Sequence, residues 1–219
     1  MTDQPPPAPP PAPPPPTTPA PAPRPSGSPS SYPINLGYQR DLDVQNWRPL
    51  VNWLLAIPQV IVLYGLFIAQ AVLGLISFFT VLFTKKNPFL AFQSMVLRYQ
   101  WRVFSYAYWM RNEYPPFDFT STARDDGIDP ASVDVEDPVE MNRWLVLVKW
   151  LLAIPHYIVL AFLYIALWFV LLITFFAVLF TGKWPEGMRT FTIGVMRWLT
   201  RVNGYVLFLT DAYPPFSLE

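Results

Sequence analysis

Of 219 residues, 53% are apolar and 14% are charged, acidic and basic residues balance at 15 each, and the chain has one histidine and no cysteine. Zero net charge, with no basic cluster on a soluble face, excludes nucleic acid as an electrostatic partner. The missing cysteines exclude disulfides, thiolate metal sites and a thiol nucleophile, and a single histidine cannot build a multi-histidine metal site or a haem ligand pair, so neither metal nor cofactor is expected.

In chain order, residues 1–31 come first, with 15 of the 27 prolines in the first 30 positions. Residues 4–30 have no apolar side chain larger than alanine or proline and cannot bury enough surface to offset the entropy of ordering, which predicts a disordered tail of polyproline II character. Tyr32, Ile34 and Leu36 then alternate, as do Val133 and Val135 much later, and predict short surface strands. The FDF and FSL segments that follow each YPPF are their expected partners.

From Trp47 the chain reads WRPLVNWLLAIPQVIVLYGLFIAQAVLGLISFFTVLFTKKNP, and 97 residues on, at Trp144, it reads WLVLVKWLLAIPHYIVLAFLYIALWFVLLITFFAVLFTGKWP. A two-residue insertion moves the offset to 99. Arg98 then matches Arg197, Arg102 matches Arg201, and YPPF at 114–117 matches YPPF at 213–216. This tandem repeat divides the chain into a tail (1–31), a first unit (32–117), an acidic linker (118–131) and a second unit (132–219).

Each unit carries an apolar run too long to cross about 30 Å of hydrocarbon as one straight helix. Pro58 and Pro155 are placed to bend it. The expectation is an all-α integral membrane fold of two copies. In each, an elbow helix (Trp47–Ile57, Trp144–Ile154) lies in the interface, a spanning helix follows (Pro58–Phe83, Pro155–Phe180), and a return helix carries the arginines. Trp47, Trp53, Trp144 and Trp150 fall at headgroup depth. Five basic residues lie between Thr84 and Asn112, and nine acidic ones between Glu113 and Glu140. That bias predicts four crossings, with the basic turns inside and the acidic linker outside. A hairpin that enters and leaves one leaflet is the competing topology.

Arg98 and Arg102, like Arg197 and Arg201, are four residues apart on one helix face among Tyr99, Trp101 and Trp198. A guanidinium fork there suits an anionic lipid headgroup or a carboxylate of a partner protein. Neither hydrophobic run contains an acidic residue, so a buried arginine needs a counter-ion from lipid, a partner or the linker. His156 sits beside Pro155, but its repeat counterpart is Gln59 and no carboxylate lies near it in sequence, which speaks against catalysis. The aspartates of 118–131 lack calcium-loop spacing and read as a solvated linker.

The segments WLVLVKWLLAIPHYIVL, FTGKWPEGM and RVNGYVLFLTDAYPPFSLE resemble the bacterial membrane family called domain of unknown function 4389, common in actinobacteria. The resemblance is close over 143–219 and looser over 46–117, where Lys85 stands for the turn glycine Gly182. It implies a multi-pass bacterial plasma-membrane protein and no particular activity. The function expected is a non-enzymatic accessory or scaffold subunit of a larger membrane assembly, with the bilayer and membrane proteins as partners. Anionic-lipid binding or transport is the alternative, and an embedded enzyme comes third.

Overall fold

The computed structural model describes residues 32–136 and 140–219; the proline-rich tail (1–31) and residues 137–139 lie outside the described residues. Two strands and five helices follow in the order β1 (Ile34–Tyr38), α1 (Arg48–Leu55), α2 (Ile57–Thr84), α3 (Leu90–Ala107), β2 (Ala131–Val135), α4 (Lys149–Thr181) and α5 (Glu186–Val206), with a 3-10 turn at Leu145–Leu147.

The alternation that predicts the strands is what buries them. Ile34, Leu36, Val133 and Val135 face inward, while Asn35 and Asp134 do not. The expected partners are corrected, however. Residues 117–119 and 216–218 form no strand, because Asp118 is drawn to Arg102 and the Leu218 carbonyl to Arg197. The strands of the two copies pair with each other instead, antiparallel, with Leu36 opposite Val133.

Pro58 falls in the first turn of α2, where its missing N–H forfeits no hydrogen bond. The break ahead of it is a single residue, Ala56. In the second copy the expected elbow, Trp144–Ile154, is replaced by the three-residue 3-10 turn, and α4 runs on through Pro155. One lost bond does not stop a helix of 33 residues. The break falls instead at Val148, just before Lys149 enters a buried ion pair with Asp211.

Both long helices end in a left-handed residue whose N–H returns to the last turn, Lys85 (φ 58°) bonding Val81 O and Gly182 (φ 66°) bonding Val178 O. The lysine therefore adopts the conformation that the second copy gives to glycine.

Burial on α2 and α4 is the reverse of that on a soluble helix. On α2 the buried stripe is Gln59, Leu63, Gln70, Ser77 and Val81, whereas Ile61, Tyr64, Ile68, Leu75 and Phe83 are 64–74% exposed. On α4 Lys149, His156 and Thr174 are buried while Phe162, Ile165, Trp168 and Phe180 are exposed. Each helix is long and apolar enough to cross a bilayer, and only 17% of its most apolar stretch is covered. A core helix of a soluble protein would be mostly covered.

Three layers result. α2 packs on α3 and α4 on α5, and the other faces of α3 and α5 carry the β-ribbon. Leu97, Trp101, Met196 and Leu209 meet Ile34, Leu36, Val133 and Val135 in the main core. At Gly204 α5 comes so close to β1 that a Cβ would lie 2.1 Å from Ile34 Cδ1. The contacts between copies are reciprocal. Val44 N–H donates to Gly182 O at 2.8 Å, and Met141 N–H, 97 residues later, donates to Lys85 O at 3.0 Å. The start of each copy thus holds the end of the other's long helix, and α2 and α4 run in opposite directions.

Candidate functional site

Arg98 and Arg102 project from the buried middle of α3 and are 3% and 2% exposed. Linker aspartates meet them. Asp125 lies 3.0 Å from Arg98 Nε and 3.3 Å from Arg102 Nη2, and Asp118 lies 2.8 Å from Arg102 Nη1. Arg98 also donates to the Thr122 carbonyl. Farther along, Arg111 pairs with the buried Asp129 at 2.7 Å. The linker expected to be solvated is therefore corrected in part: Asp125 and Asp129 turn inward while Asp126 stays exposed, because a buried guanidinium costs on the order of several kcal/mol unless a partner offsets its lost hydration.

The carboxylates differ in how they are held. Asp118 accepts from the Thr120 hydroxyl and N–H and from Arg102, which pull its pKa down to about 2. Asp126 is lowered chiefly by the Ile128 N–H. For Asp125 burial outweighs the Gly127 N–H and both guanidiniums, and lifts its carboxyl above the ordinary range.

Repeat symmetry ends at this point. Where the first copy has Asp118 the second has Ser217. Arg197 donates to the carbonyls of Leu36 and Leu218, and Arg201 donates to the backbone oxygen of Glu219 while stacking over Tyr32, 5.4 Å from the ring centre. Among the described residues neither arginine has a side-chain carboxylate within ion-pair distance.

Two further devices occur once in each copy, at the head of the long helix. Gln59 donates to Pro115 O at 2.8 Å and accepts from the Tyr99 hydroxyl. At the equivalent place His156 Nδ1 accepts from Trp198 Nε1 at 3.1 Å, and its ring stacks on Phe216 with centroids 4.0 Å apart. An imidazole that accepts at Nδ1 is neutral and carries its proton on Nε2. Two turns earlier, Asn52 donates to the carbonyls of Tyr106 and Arg111. Its counterpart Lys149 donates to Thr210 O and pairs with Asp211. Each device ties the YPPF end of a unit to the helix at which that unit began.

The repeated arrangement, with its long helix, left-handed cap, arginine helix and YPPF clamp, coincides with a described family. Domain of unknown function (DUF4389) matches residues 46–118 and again residues 143–217. The chain belongs to this family. No curated protein and no solved structure matches it. The two DUF4389 segments stop at 118 and resume at 143, so Asp125, Asp129 and β2 lie between them. The counter-ions of Arg98 and Arg111 are thus supplied from outside the matched segments.

Proposed function

We propose that this DUF4389 protein is a non-enzymatic, membrane-embedded scaffold whose two units sit together in one leaflet of a bacterial plasma membrane and brace a larger membrane assembly. The observation that carries the reading is the inverted burial of α2 and α4, with Gln59, Gln70, Ser77 and His156 inside and isoleucine, phenylalanine and tryptophan outside. Such a surface is stable against hydrocarbon and unstable against water.

The layers support one leaflet rather than four crossings. If α2 and α4 stood along the membrane normal, α3 and α5, which pack on them, would be drawn into the hydrocarbon with them. The β-ribbon and the linker, with Asp126 and its 54%-exposed side chain, would then sit at mid-depth in hydrocarbon, where polar edges and charges are strongly disfavoured. With the long helices in the membrane plane, their apolar faces meet lipid and the ribbon side meets water. Trp53 on α1 and Trp150 at the start of α4, 59% and 62% exposed, then occupy the interface. The scaffold role is supported by the use to which the polar side chains are put, since arginines, His156 and Gln59 all hold the chain's own segments together.

Cysteine labelling in this cysteine-free chain tests the reading. Lys86→Cys, Lys183→Cys and Asp126→Cys should all react with an impermeant maleimide from the same side of intact vesicles, and the protein should resist alkaline carbonate extraction. Because α2 and α4 are antiparallel, true crossings would place Lys86→Cys and Lys183→Cys on opposite sides. A partner that co-purifies in mild detergent and is lost when exposed tryptophans of α4 are replaced supports the scaffold role.

A second reading, an anionic lipid headgroup at Arg197 and Arg201, is favoured by their lack of a side-chain carboxylate partner among the described residues. Phosphatidylglycerol adducts in native mass spectrometry should then fall with Arg201→Gln and not with Arg102→Gln.

A further inference from the structure

Where α2, α3, α4 and α5 meet lies a cavity of about 260 Å³, lined by Phe67, Gln70, Leu97, Gln100, Tyr157 and Asn203 among others. No lysine, arginine, aspartate, glutamate or histidine lines it. Gln70 stands midway along α2, is 6% exposed, and its Nε2 has no hydrogen-bond partner among the described residues. Tyr157 donates to Asn203 Oδ1 at 3.4 Å.

The tandem repeat supplies an internal comparison. The equivalent region of the other copy holds a second cavity, about 340 Å³, which shares the positions equivalent to Ala71, Val206 and Leu207 as Trp168, Ala107 and Tyr108. That one is walled by Leu171 and Phe175 among others and is almost wholly apolar. Gln70 corresponds to Leu167, Gln100 to Leu199 and Asn203 to Phe104. A fold that is stable with three apolar residues at one of two equivalent places carries three carboxamides at the other. Packing therefore does not demand them, and a buried, unpaired amide N–H₂ on a lipid-facing helix is costly unless something accepts from it.

We propose that this cavity binds the oxygen-bearing end of an uncharged lipid, whose hydroxyl or ester carbonyl oxygen accepts from Gln70 Nε2. Uncharged carboxamides and a phenol match neutral carbonyl and hydroxyl groups, and the absence of a charged side chain disfavours an anionic headgroup. The volume is just under the usual range of about 300–1,000 Å³ for small-molecule sites, so it holds a headgroup and the start of a chain, with the remainder lying along Phe67 and Ala71. This inference rests on the membrane-embedded reading.

The test uses the full chain in phosphatidylcholine vesicles containing a diacylglycerol with a photoactivatable diazirine near the glycerol. Cross-links should map to peptides around Gln70, Gln100 and Asn203, and unlabelled diacylglycerol should compete while phosphatidylglycerol should not. Gln70→Leu, which installs the other copy's residue, should cut the cross-link about tenfold, as expected for one lost hydrogen bond to a buried group. Ala71→Trp, likewise the other copy's residue, should cut it by filling the space. A cross-link unchanged by both variants, or spread without competition over the exposed faces of α2 and α4, overturns the site and leaves the cavity to water. Failure of the wild-type chain to enter vesicles at all overturns the membrane reading instead, so the two failures are separable.

Discussion

Leu36 lies opposite Val133 in the β-ribbon, and each is the other's counterpart in the tandem repeat. A residue that pairs with its own repeat mate marks a two-fold axis, the geometry of an isologous interface. The bonds from Val44 to Gly182 and from Met141 to Lys85 obey the same axis. The two units thus associate as a symmetric dimer would, joined through the linker. The symmetry is broken at Asp118, where the second copy has Ser217, and at the amide-lined cavity.

Asp125 is the pivot of the first unit's charge. Asp125→Asn leaves Arg98 with uncharged acceptors only and Arg102 with Asp118 and Asp126, and breaking a buried pair costs about 3 kcal/mol of stability. Arg201→Gln removes a cation that no side-chain carboxylate among the described residues neutralises, and should cost clearly less. Thermal unfolding in detergent compares them; equal losses would mean that the linker carboxylates do not carry the first unit.

Asp118 gives that charge network a pH dependence of known sign. Its pKa falls from 3.8 to about 2 on folding, so its contribution is complete above the unfolded value and disappears as pH falls through the folded one. Asp118→Asn should therefore be less stable than wild type at pH 7, and the two should converge between pH 4 and about 2. The group is partly exposed, so the difference is modest. A gap that widened on acidification would contradict the assignment.

Much of this was legible in the sequence. The 97-residue offset located both long helices and the elbow of the first copy, because apolar length and proline position are local properties. The ribbon's pairing was not legible, since a repeat reveals that two units are alike but not the operation that relates them. The linker stood among three possible sources of a counter-ion for buried arginines, but Asp125 and Asp129 could not be singled out within it, because turn residues and charge there read as solvated. The available signal was charge balance, five basic residues before Glu113 with no carboxylate among them and nine acidic ones after. Pro155 misled because a proline guarantees only one lost hydrogen bond, not a break.

The helix ends offer a check on shared geometry. Gly182→Ala should destabilise by about 1–2 kcal/mol, since a left-handed residue gains a Cβ at 2.8 Å from Asn46 Oδ1 and 3.1 Å from Val44 O. Lys85→Gly should be neutral or stabilising by up to about 1 kcal/mol, because the lysine already occupies that conformation. Denaturation midpoints of the two variants decide it, and a large loss in Lys85→Gly would show that its ion pair with Glu140 outweighs the backbone strain.

His156 should tolerate the residue its own repeat uses. His156→Gln keeps an acceptor for Trp198 Nε1 and should change stability by less than about 1 kcal/mol, whereas His156→Leu leaves the indole N–H buried and unpaired at about 1–3 kcal/mol. Indole fluorescence and melting temperature report both effects. Equal damage from the two substitutions would mean that ring stacking on Phe216, not the hydrogen bond, holds the clamp.

Depth of the α2 surface tests the account at its centre. Single spin-labelled cysteines at Ile61, Ile68, Leu75 and Phe83, all exposed on that face, are measured by power saturation in vesicles with oxygen and a water-soluble nickel chelate. An in-plane helix predicts oxygen collisions in excess at all four sites and one nearly constant depth, about 5–10 Å below the headgroups. A profile that is deepest at Ile68 and shallow at both ends would make α2 a crossing helix, and nickel access at all four sites would place this face in water and contradict membrane embedding altogether.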